Sequence, residues 1–220
     1  MRLSRRGAAG AAGPQGIPGV QGGVGPAGGG IWSGFAVPPW NGVAAAVDYA
    51  CGLLFGNMAN QLQTIDQLVA TPFMLSRPGT VNSLALNNQG SGGVGSKHRI
   101  GLYNSDPSHF GPTSLLVDGG EIDATILGGV RVAVNVPLLA GKVYWAAYIC
   151  GVGAPTMSTI PAQAMWANNN VIGPQGPGSN VVFSIVKVAR AYGALPDPFP
   201  LAGLTAIQQN MVAVYLRFSA

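Results

Sequence analysis

Carboxylates have the clearest spacing for chemistry in this chain. Asp118, Glu121 and Asp123 fall in the stretch VDGGEID, and the last two would share one face of a strand. A glycosidase needs two carboxyls held at a set separation across a sugar, and neighbours on one hairpin rarely provide that. The stretch therefore predicts a turn with a solvated strand edge. A weak calcium site is the alternative, although few oxygen ligands are evident.

The histidine, cysteine and serine residues also form no recognisable catalytic group. His98 and His109 lie in or beside predicted loops, and the serines of GSGGVGS lack the strand, elbow and helix of a hydrolase nucleophile. The same glycine run is not followed by Gly-Lys-Ser/Thr, so it does not predict a phosphate-binding loop. Cys51 and Cys150 have no nearby metal ligand and predict two buried thiols, with an intrachain or intersubunit bridge as the alternative. The sequence therefore predicts no enzyme, no cofactor and no metal site.

Charge is scarce and unevenly placed. Charged residues make up 8% of the chain and the net charge is +4, with Arg2, Arg5 and Arg6 in the first six residues. The rest is nearly neutral and has no basic face with interleaved aromatics, which argues against nucleic-acid binding. No apolar run predicts a secretory signal or a membrane span. The segment 1–6 predicts an anchor that docks in an acidic socket of a larger assembly, and a solvated tail is the alternative.

Residues 7–30 repeat glycine at every third position. In a polyproline II strand this register keeps the glycines on one edge, where three chains can meet around an axis that admits only hydrogen. A flexible linker is the alternative, but its glycines have no reason to stay in phase. The repeat predicts a collagen-like triple-helical shaft of about 70 Å in a homotrimer. The glycines in phase are Gly7, Gly10, Gly13, Gly16, Gly19, Gly22, Gly25 and Gly28.

The remaining chain divides into a neck, residues 31–67, and a head, residues 68–220. In the neck, Leu62, Ile65 and Leu68 at helical spacing predict a short helix near residues 57–68. In the head the apolar period becomes two, with turn residues every eight to twelve positions, which is typical of a β-sandwich or barrel. The predicted strands are residues 68–75, 80–87, 98–104, 113–118, 121–126, 130–138, 142–150, 180–190 and 211–219.

The apolar patterns of two predicted strands indicate where each strand lies in the fold. In VRVAVNV the valines Val130, Val132, Val134 and Val136 alternate with other residues, which predicts a half-buried antiparallel strand. In VYWAAYIC both faces are apolar. This strand is expected either at the centre of the fold or with its second face against a neighbouring subunit. The tripeptide DGG between two predicted strands is expected to be a turn.

The head resembles the globular heads of bacteriophage and prophage fibre proteins. The resemblance covers residues 68–220 and is carried by a hairpin motif (Gly101, Leu102, Tyr103, Leu115 and Leu116), a strand motif (Ala140, Gly141, Tyr144 and Trp145) and the return YGALPDPFP from Tyr192 to Pro200. It implies a jelly-roll-like antiparallel sandwich, usually trimeric, on the outside of a virion. The Gly/Ser-rich insertion at residues 89–96 and the short segment before the repeat depart from the family pattern.

The expected function is host attachment by a trimeric virion fibre, on the tail or the head. Its expected partners are itself, a virion protein at the N-terminus and a glycan or protein of the host surface. Loops on a rigid sandwich are where binding residues accumulate, and aromatic and amide side chains suit sugars. A capsid or neck decoration fibre without a receptor is one alternative, and a polysaccharide depolymerase is another. The candidate receptor residues are Tyr103, Phe110, Trp166, Asn168, Asn169 and Asn170.

Overall fold

The computed structural model describes residues 36–37, 48–50, 59–75, 78–106, 111–160, 185–207 and 210–219. These ranges hold fourteen β-strands and no α-helix. No described segment forms a helix that is long and apolar enough to cross a membrane. The strands are β1 (Ala36–Val37), β2 (Asp48–Ala50), β3 (Ala59–Leu62), β4 (Gln67–Leu75), β5 (Gly79–Gly90), β6 (Lys97–Ser105), β7 (Pro112–Asp123), β8 (Gly128–Leu138), β9 (Val143–Gly151), β10 (Thr156–Ile160), β11 (Ile185–Ala189), β12 (Thr205–Ile207), β13 (Met211–Val212) and β14 (Tyr215–Phe218).

The strands form two sheets. Sheet A has the order β12-β11-β4-β9-β6-β7, and β1 runs beside the end of β4. In sheet B, β8 pairs with one edge of β5, while β14 and β10 pair with successive parts of the other edge. Strand β2 lies beside β14, and β3 and β13 lie beside β10. Among the described strands only the pairing of β1 with β4 is parallel, which confirms the prediction of an all-β fold with antiparallel sheets.

The two sheets share one large apolar core. Strand β8 alternates as predicted: Val130 and Val136 are buried, Val132 and Val134 pack against the core, and Arg131 is exposed. Burying one such apolar side chain stabilises a fold by about 1.5–3 kcal/mol, so the alternation sets which face of β8 turns inward. Sheet A contributes Phe73, Leu75, Ile100, Leu102 and Ile122 to this core, and sheet B contributes Val81, Leu84, Leu86, Leu216 and Phe218.

Strand β9 is central in sheet A and is buried on both faces. One face joins the core between the sheets, while Trp145, Ala147 and Ile149 on the other face form a second core. Leu195 and Phe199, from the segment after β11, close that second core. The central position is confirmed. The second face of β9 is covered by this same chain, so it is not free to contact a neighbouring subunit.

The helix predicted near residues 57–68 is wrong. That stretch contains β3 and the start of β4, with Leu62 and Ile65 exposed and Leu68 fully buried. Strand β4 pairs with β9 on one side and with β11 and β1 on the other. A helix of this length is marginal in water, and the paired, doubly packed strand outweighs its local preference.

The DGG tripeptide is a bulge and not a turn between strands. Residues 113–118 and 121–126 were predicted as two strands, but β7 runs continuously through most of them. Arg99 pairs with Glu121 and Gly101 with Asp118, so two residues of β7 oppose one of β6. Gly120 has a φ of +85°, a left-handed conformation that glycine adopts at no steric cost.

Other strands of the head also differ from the sequence prediction. Strands β10 and β12 were not predicted at all. The C-terminal strand predicted at residues 211–219 is divided into β13 and β14, which pair with different strands of sheet B. In both cases the pairing partner, which is distant in sequence, decides where the strand begins and ends.

Candidate functional site

Tyr103, a predicted receptor residue, lies in the core. Its side chain is fully buried, and its ring contacts that of Phe199 edge-on with centroids 5.1 Å apart. Its hydroxyl donates a hydrogen bond of 2.8 Å to the carbonyl of Pro196. Burial raises the pKa of the Tyr103 phenol well above its ordinary value. The receptor role predicted for Tyr103 is therefore wrong, because the side chain has no surface to offer.

The other sequence-predicted site residues lie outside the described ranges. This holds for Phe110, Trp166 and the three asparagines 168–170. It also holds for the glycines of the repeat, for the arginines of the segment 1–6, for His109 and for Cys51. The receptor, shaft and docking predictions for these residues remain predictions.

Several residues that carry the fibre-head resemblance meet in the second core: Tyr103, Trp145, Leu195 and Phe199, with Leu115 and Tyr192 packed against them. Residues 190–200, called the latch here, cross the outer face of sheet A from β9 over β6 to β7. At its start Tyr192 lies directly on Gly151 of β9, and its hydroxyl donates to the carbonyl of His98 at 3.1 Å. Further along, Leu195 lies on Gly101 of β6. A Cβ atom at either glycine would occupy the space that the latch side chain fills.

The latch ends against β7. Its Asp197 carboxylate accepts a hydrogen bond of 3.0 Å from the backbone N–H of Leu115, and Phe199 N–H donates to the carbonyl of Thr113 at 2.8 Å. The latch thus gains backbone partners on the outermost strand of sheet A. The motifs therefore encode how the head is held together, and at these residues they do not build an open binding site.

The three carboxylates of VDGGEID have structural partners. Asp118 accepts from Arg99 at 2.7 Å and from the latch N–H of Leu195 at 3.0 Å. Glu121 accepts from Lys97 at 2.7 Å, and this hydrogen bond lowers the Glu121 pKa. Asp123 accepts from the hydroxyl and the N–H of Thr125, and these bonds lower the Asp123 pKa.

This arrangement agrees with the solvated strand edge predicted from the sequence. Glu121 and Asp123 are exposed on one face of β7, with buried Ile122 between them. Each carboxylate closes a turn, a bulge or an ion pair. Among the described residues there is no group of three His, Cys, Asp or Glu side chains placed to hold a metal ion.

A histidine and a cysteine face each other in the core. His98 of β6 pairs across the sheet with Cys150 of β9, and both side chains are fully buried. His98 Nδ1 lies 3.2 Å from the hydroxyl of Tyr148, while its Nε2 has no hydrogen-bond partner. Desolvation lowers the pKa of His98 to about 4 and raises the pKa of Cys150.

The pair has the wrong protonation states for nucleophilic catalysis. A catalytic cysteine acts as a thiolate in a partly exposed, electropositive site, whereas burial holds Cys150 as a thiol beside a neutral imidazole. Cys150 forms no disulfide, and its sulfur lies 3.4 Å from the carbonyl of Thr64. Its burial agrees with the predicted buried thiol.

An exposed apolar surface lies where four turns meet at one end of the sandwich. These are the turns at residues 63–66, 91–96, 124–127 and 152–155, called the four-turn surface here. Its most exposed side chains are Val94 at 100%, Val152 at 65%, Leu127 at 62% and Ile126 at 53% of their full accessibility. The sequence signal for it was a branched apolar residue alone in the glycine-rich run GSGGVGS, which was interpreted only as a loop.

The comparisons with known proteins add little. No family model and no curated protein matches the chain. A solved structure of the cysteine protease and lectin-like domains of Cwp84, a surface layer associated protein of Clostridium difficile, is similar with a TM-score of 0.39 and 9% identity. The match covers 71% of this chain and 36% of that one, so this chain spans about a third of the length of the solved protein. A likeness this low carries no inference about function.

Proposed function

We propose that the chain is a subunit of a homotrimeric bacteriophage fibre that attaches the virion to the host surface. In this proposal residues 1–6 dock on the virion, the glycine repeat at residues 7–30 forms a collagen-like shaft, and a jelly-roll-like sandwich is displayed at its end. The proposal needs no catalysis. It rests on the phase of the repeat, on the fibre-head motifs and on one geometric observation about the two ends of the sandwich.

That observation is the direction from which the chain enters the head. The first described residues after the repeat, Ala36 and Val37, pair with Met74 and Leu75 at the end of β4. The four-turn surface lies at the opposite end, where β4 begins. A shaft that joins the head at the end of β4 where Ala36 and Val37 lie would present the four turns away from the virion.

The internal bracing of the head also supports a display role. The latch crosses three strands of sheet A, and the sheets share a continuous core. A rigid sandwich with clustered turns at its free end is a common platform for recognition. Three copies on one shaft would raise the avidity of a weak contact by about two to four orders of magnitude.

Sedimentation equilibrium on the full chain tests the trimer. We expect the mass of three subunits, and a Gly16→Val variant is expected to lose the collagen-type circular dichroism signal and the resistance of the shaft to thermolysin, which cleaves before apolar residues such as Ile17 and Val20. Gln15→Val is the matched control, because its position in the triplet points away from the axis. A mass of one or two subunits, or an undisturbed shaft in Gly16→Val, contradicts the proposal.

Immunogold labelling of the purified virion tests the location and the orientation. Antibodies against the head are expected to label the outer surface at the far end of a fibre. Adsorption of virions to host cells is expected to fall when free head trimers are added in excess. Labelled fibres whose free heads do not compete for adsorption would instead indicate a decoration fibre, and shortening of host polysaccharide would indicate a depolymerase.

A further inference from the structure

We propose that the head binds a single water molecule between its two sheets, held by His98 of sheet A and Asn88 of sheet B. The water accepts a hydrogen bond from His98 Nε2–H and donates one to Asn88 Oδ1. This bridge lies in the core that the sheets share, behind the four-turn surface. It is a property of the head alone and holds whether or not the chain forms a fibre.

Two buried polar atoms in the described part of this core have no hydrogen-bond partner. They are His98 Nε2 and Asn88 Oδ1, and the two residues are 0% and 2% exposed. Leaving a buried polar atom unpaired lowers stability, so native proteins pair nearly all of them, many with internal water. Because each atom lacks a partner, the two are too far apart to bond to each other directly.

The two side chains enter the space between the sheets from opposite sides. On β6, His98 lies on the same face as Ile100, and on β5, Asn88 lies on the same face as Leu86. Ile100 and Leu86 both belong to the core between the sheets. The turn at residues 91–96 joins β5 to β6, so His98 and Asn88 lie at corresponding positions on either side of it.

The turn between β7 and β8 brings the same two residues together a second time. His98 pairs with Ile122 of β7, and Asn88 Nδ2 donates to the carbonyl of Ile126 at 2.8 Å. Ile122 and Ile126 can be at most about 14 Å apart, because only four residues of chain separate them. Both polar side chains therefore approach the segment 122–126, one from each sheet.

The hydrogen bonds already made by the two side chains select the ligand. The Asn88 amide nitrogen is bonded to Ile126, so its Oδ1 is an acceptor that needs a donor. Burial lowers the pKa of His98 to about 4, so at neutral pH its ring carries one N–H. Nδ1 accepts from the hydroxyl of Tyr148, 3.2 Å away, which leaves the N–H at Nε2. A cation cannot accept from Nε2–H, and an anion without a proton cannot donate to Oδ1, whereas water does both.

Bonded turns close the site from solvent. Ser96 and Ala124 are fully buried, and the Ala124 N–H donates to the Ser96 carbonyl at 3.0 Å. The Gly92 N–H donates to the Ala124 carbonyl at 3.3 Å. A water behind these bonds exchanges with solvent only when the turns open. By satisfying both sheets at once, the water also keeps the turns closed.

Nitrogen NMR of the full-length chain, labelled with ¹⁵N only in histidine, tests the bridge. The chain has two histidines, so a His109→Gln variant identifies the His98 signals. At neutral pH we expect Nε2 to be protonated and Nδ1 to be unprotonated. We also expect a nuclear Overhauser cross-peak from the Nε2 proton to water, with the sign of a long-lived contact.

The Asn88→Leu variant is expected to lose this cross-peak. The amide exchange of Ala124 is expected to become at least about tenfold faster in it, because the turns open more often. Asn87→Leu is the matched control, since the Asn87 amide lies on the opposite face of β5 and donates to Ser158 Oγ. It should keep both the cross-peak and the slow exchange.

A crystal structure of the same full-length chain gives a second measurement that needs no variant, should Asn88→Leu fail to fold. We expect one peak of electron density within hydrogen-bond distance of His98 Nε2 and Asn88 Oδ1. Four results overturn the proposal: an unprotonated Nε2, a direct hydrogen bond between the two side chains, no density between them, or a peak with the coordination shell of a metal ion. A cross-peak that persists in Asn88→Leu also contradicts it.

Discussion

The Asp118 carboxylate joins Arg99 to the latch. Its Oδ2 accepts from the Arg99 guanidinium at 2.7 Å and from the backbone N–H of Leu195 at 3.0 Å, and its Oδ1 accepts from Gly120 at 2.8 Å. Both side chains of the ion pair are only 20% exposed. One residue of β7 therefore holds a bulge, a neighbouring strand and the segment that closes the second core.

Replacing Asp118 by alanine is expected to lower the free energy of unfolding by about 2 kcal/mol. The reason is that a partly buried guanidinium and a latch N–H both lose a charged acceptor. Urea unfolding followed by tryptophan fluorescence measures it. Glu121→Gln is the control, because the Lys97–Glu121 pair is solvated on both sides and should contribute much less. Equal losses in the two variants would contradict the role given to Asp118.

A methyl group at Gly101 is expected to lift the latch. The added Cβ would meet Leu195 and also the carbonyl of Val117, which is backbone and cannot move aside. Overpacking of this kind costs about 1–3 kcal/mol. Gly193→Ala, within the latch but facing open space, is expected to be nearly neutral. Thermal unfolding of both variants checks the prediction, which fails if Gly101→Ala is as stable as the wild type.

Removing the hydroxyl of Tyr103 is expected to affect stability and not attachment. Tyr103→Phe loses the hydrogen bond to the Pro196 carbonyl, which should cost about 1 kcal/mol, and it keeps the ring against Phe199. Binding of the variant to host cells should match that of the wild type once the protein is folded. Lost binding without lost stability would return Tyr103 to the set of receptor residues.

The stability of the head is expected to fall between pH 6.5 and 4 because of His98. Burial lowers the folded-state pKa to about 4 from the ordinary value of 6.5, so the unfolded chain binds a proton first as the pH falls. The contribution is fully present above pH 6.5 and is lost progressively toward pH 4, by at most about 3 kcal/mol. Urea midpoints across this range measure it.

The control for this pH dependence is His98→Gln, which should flatten the slope between those pH values. Glu121 and Asp123 have lowered pKa values and therefore titrate below most of this window. A slope that is unchanged in the variant would show that another group is responsible.

Val152→Gly is expected to stabilise the head. Relief of the strained φ of +38° should outweigh the entropy cost of glycine and raise the free energy of unfolding by about 1 kcal/mol. Val94→Gly is the matched control, since Val94 is fully exposed and relieves no such strain, and it should be slightly destabilising. Chemical unfolding of the two variants distinguishes them, and a destabilised Val152→Gly would contradict the strain argument.

Local patterns predicted most of the strands in the head. Alternation in β8 identified its buried face, and the two-sided apolar character of β9 identified its central position, because both depend only on neighbours along one strand. The predicted helix at residues 57–68 failed because strand pairing with β9 and β11 overrode a short helical spacing. The receptor role of Tyr103 failed because an aromatic residue next to predicted turns can be buried by a segment far away in sequence.

By itself the sequence determined an all-β head with antiparallel sheets, the inward face of β8 and the solvated edge at Glu121 and Asp123. These features depend on the alternation of apolar residues and on the position of charges within a few neighbouring residues of one strand. Only the tertiary structure decided that residues 190–200 close over sheet A and that four separate turns meet in one apolar surface. Those contacts join residues up to 126 positions apart, as between Asp66 and Tyr192. Such pairings are selected by the packing of the whole core, and no local pattern specifies them.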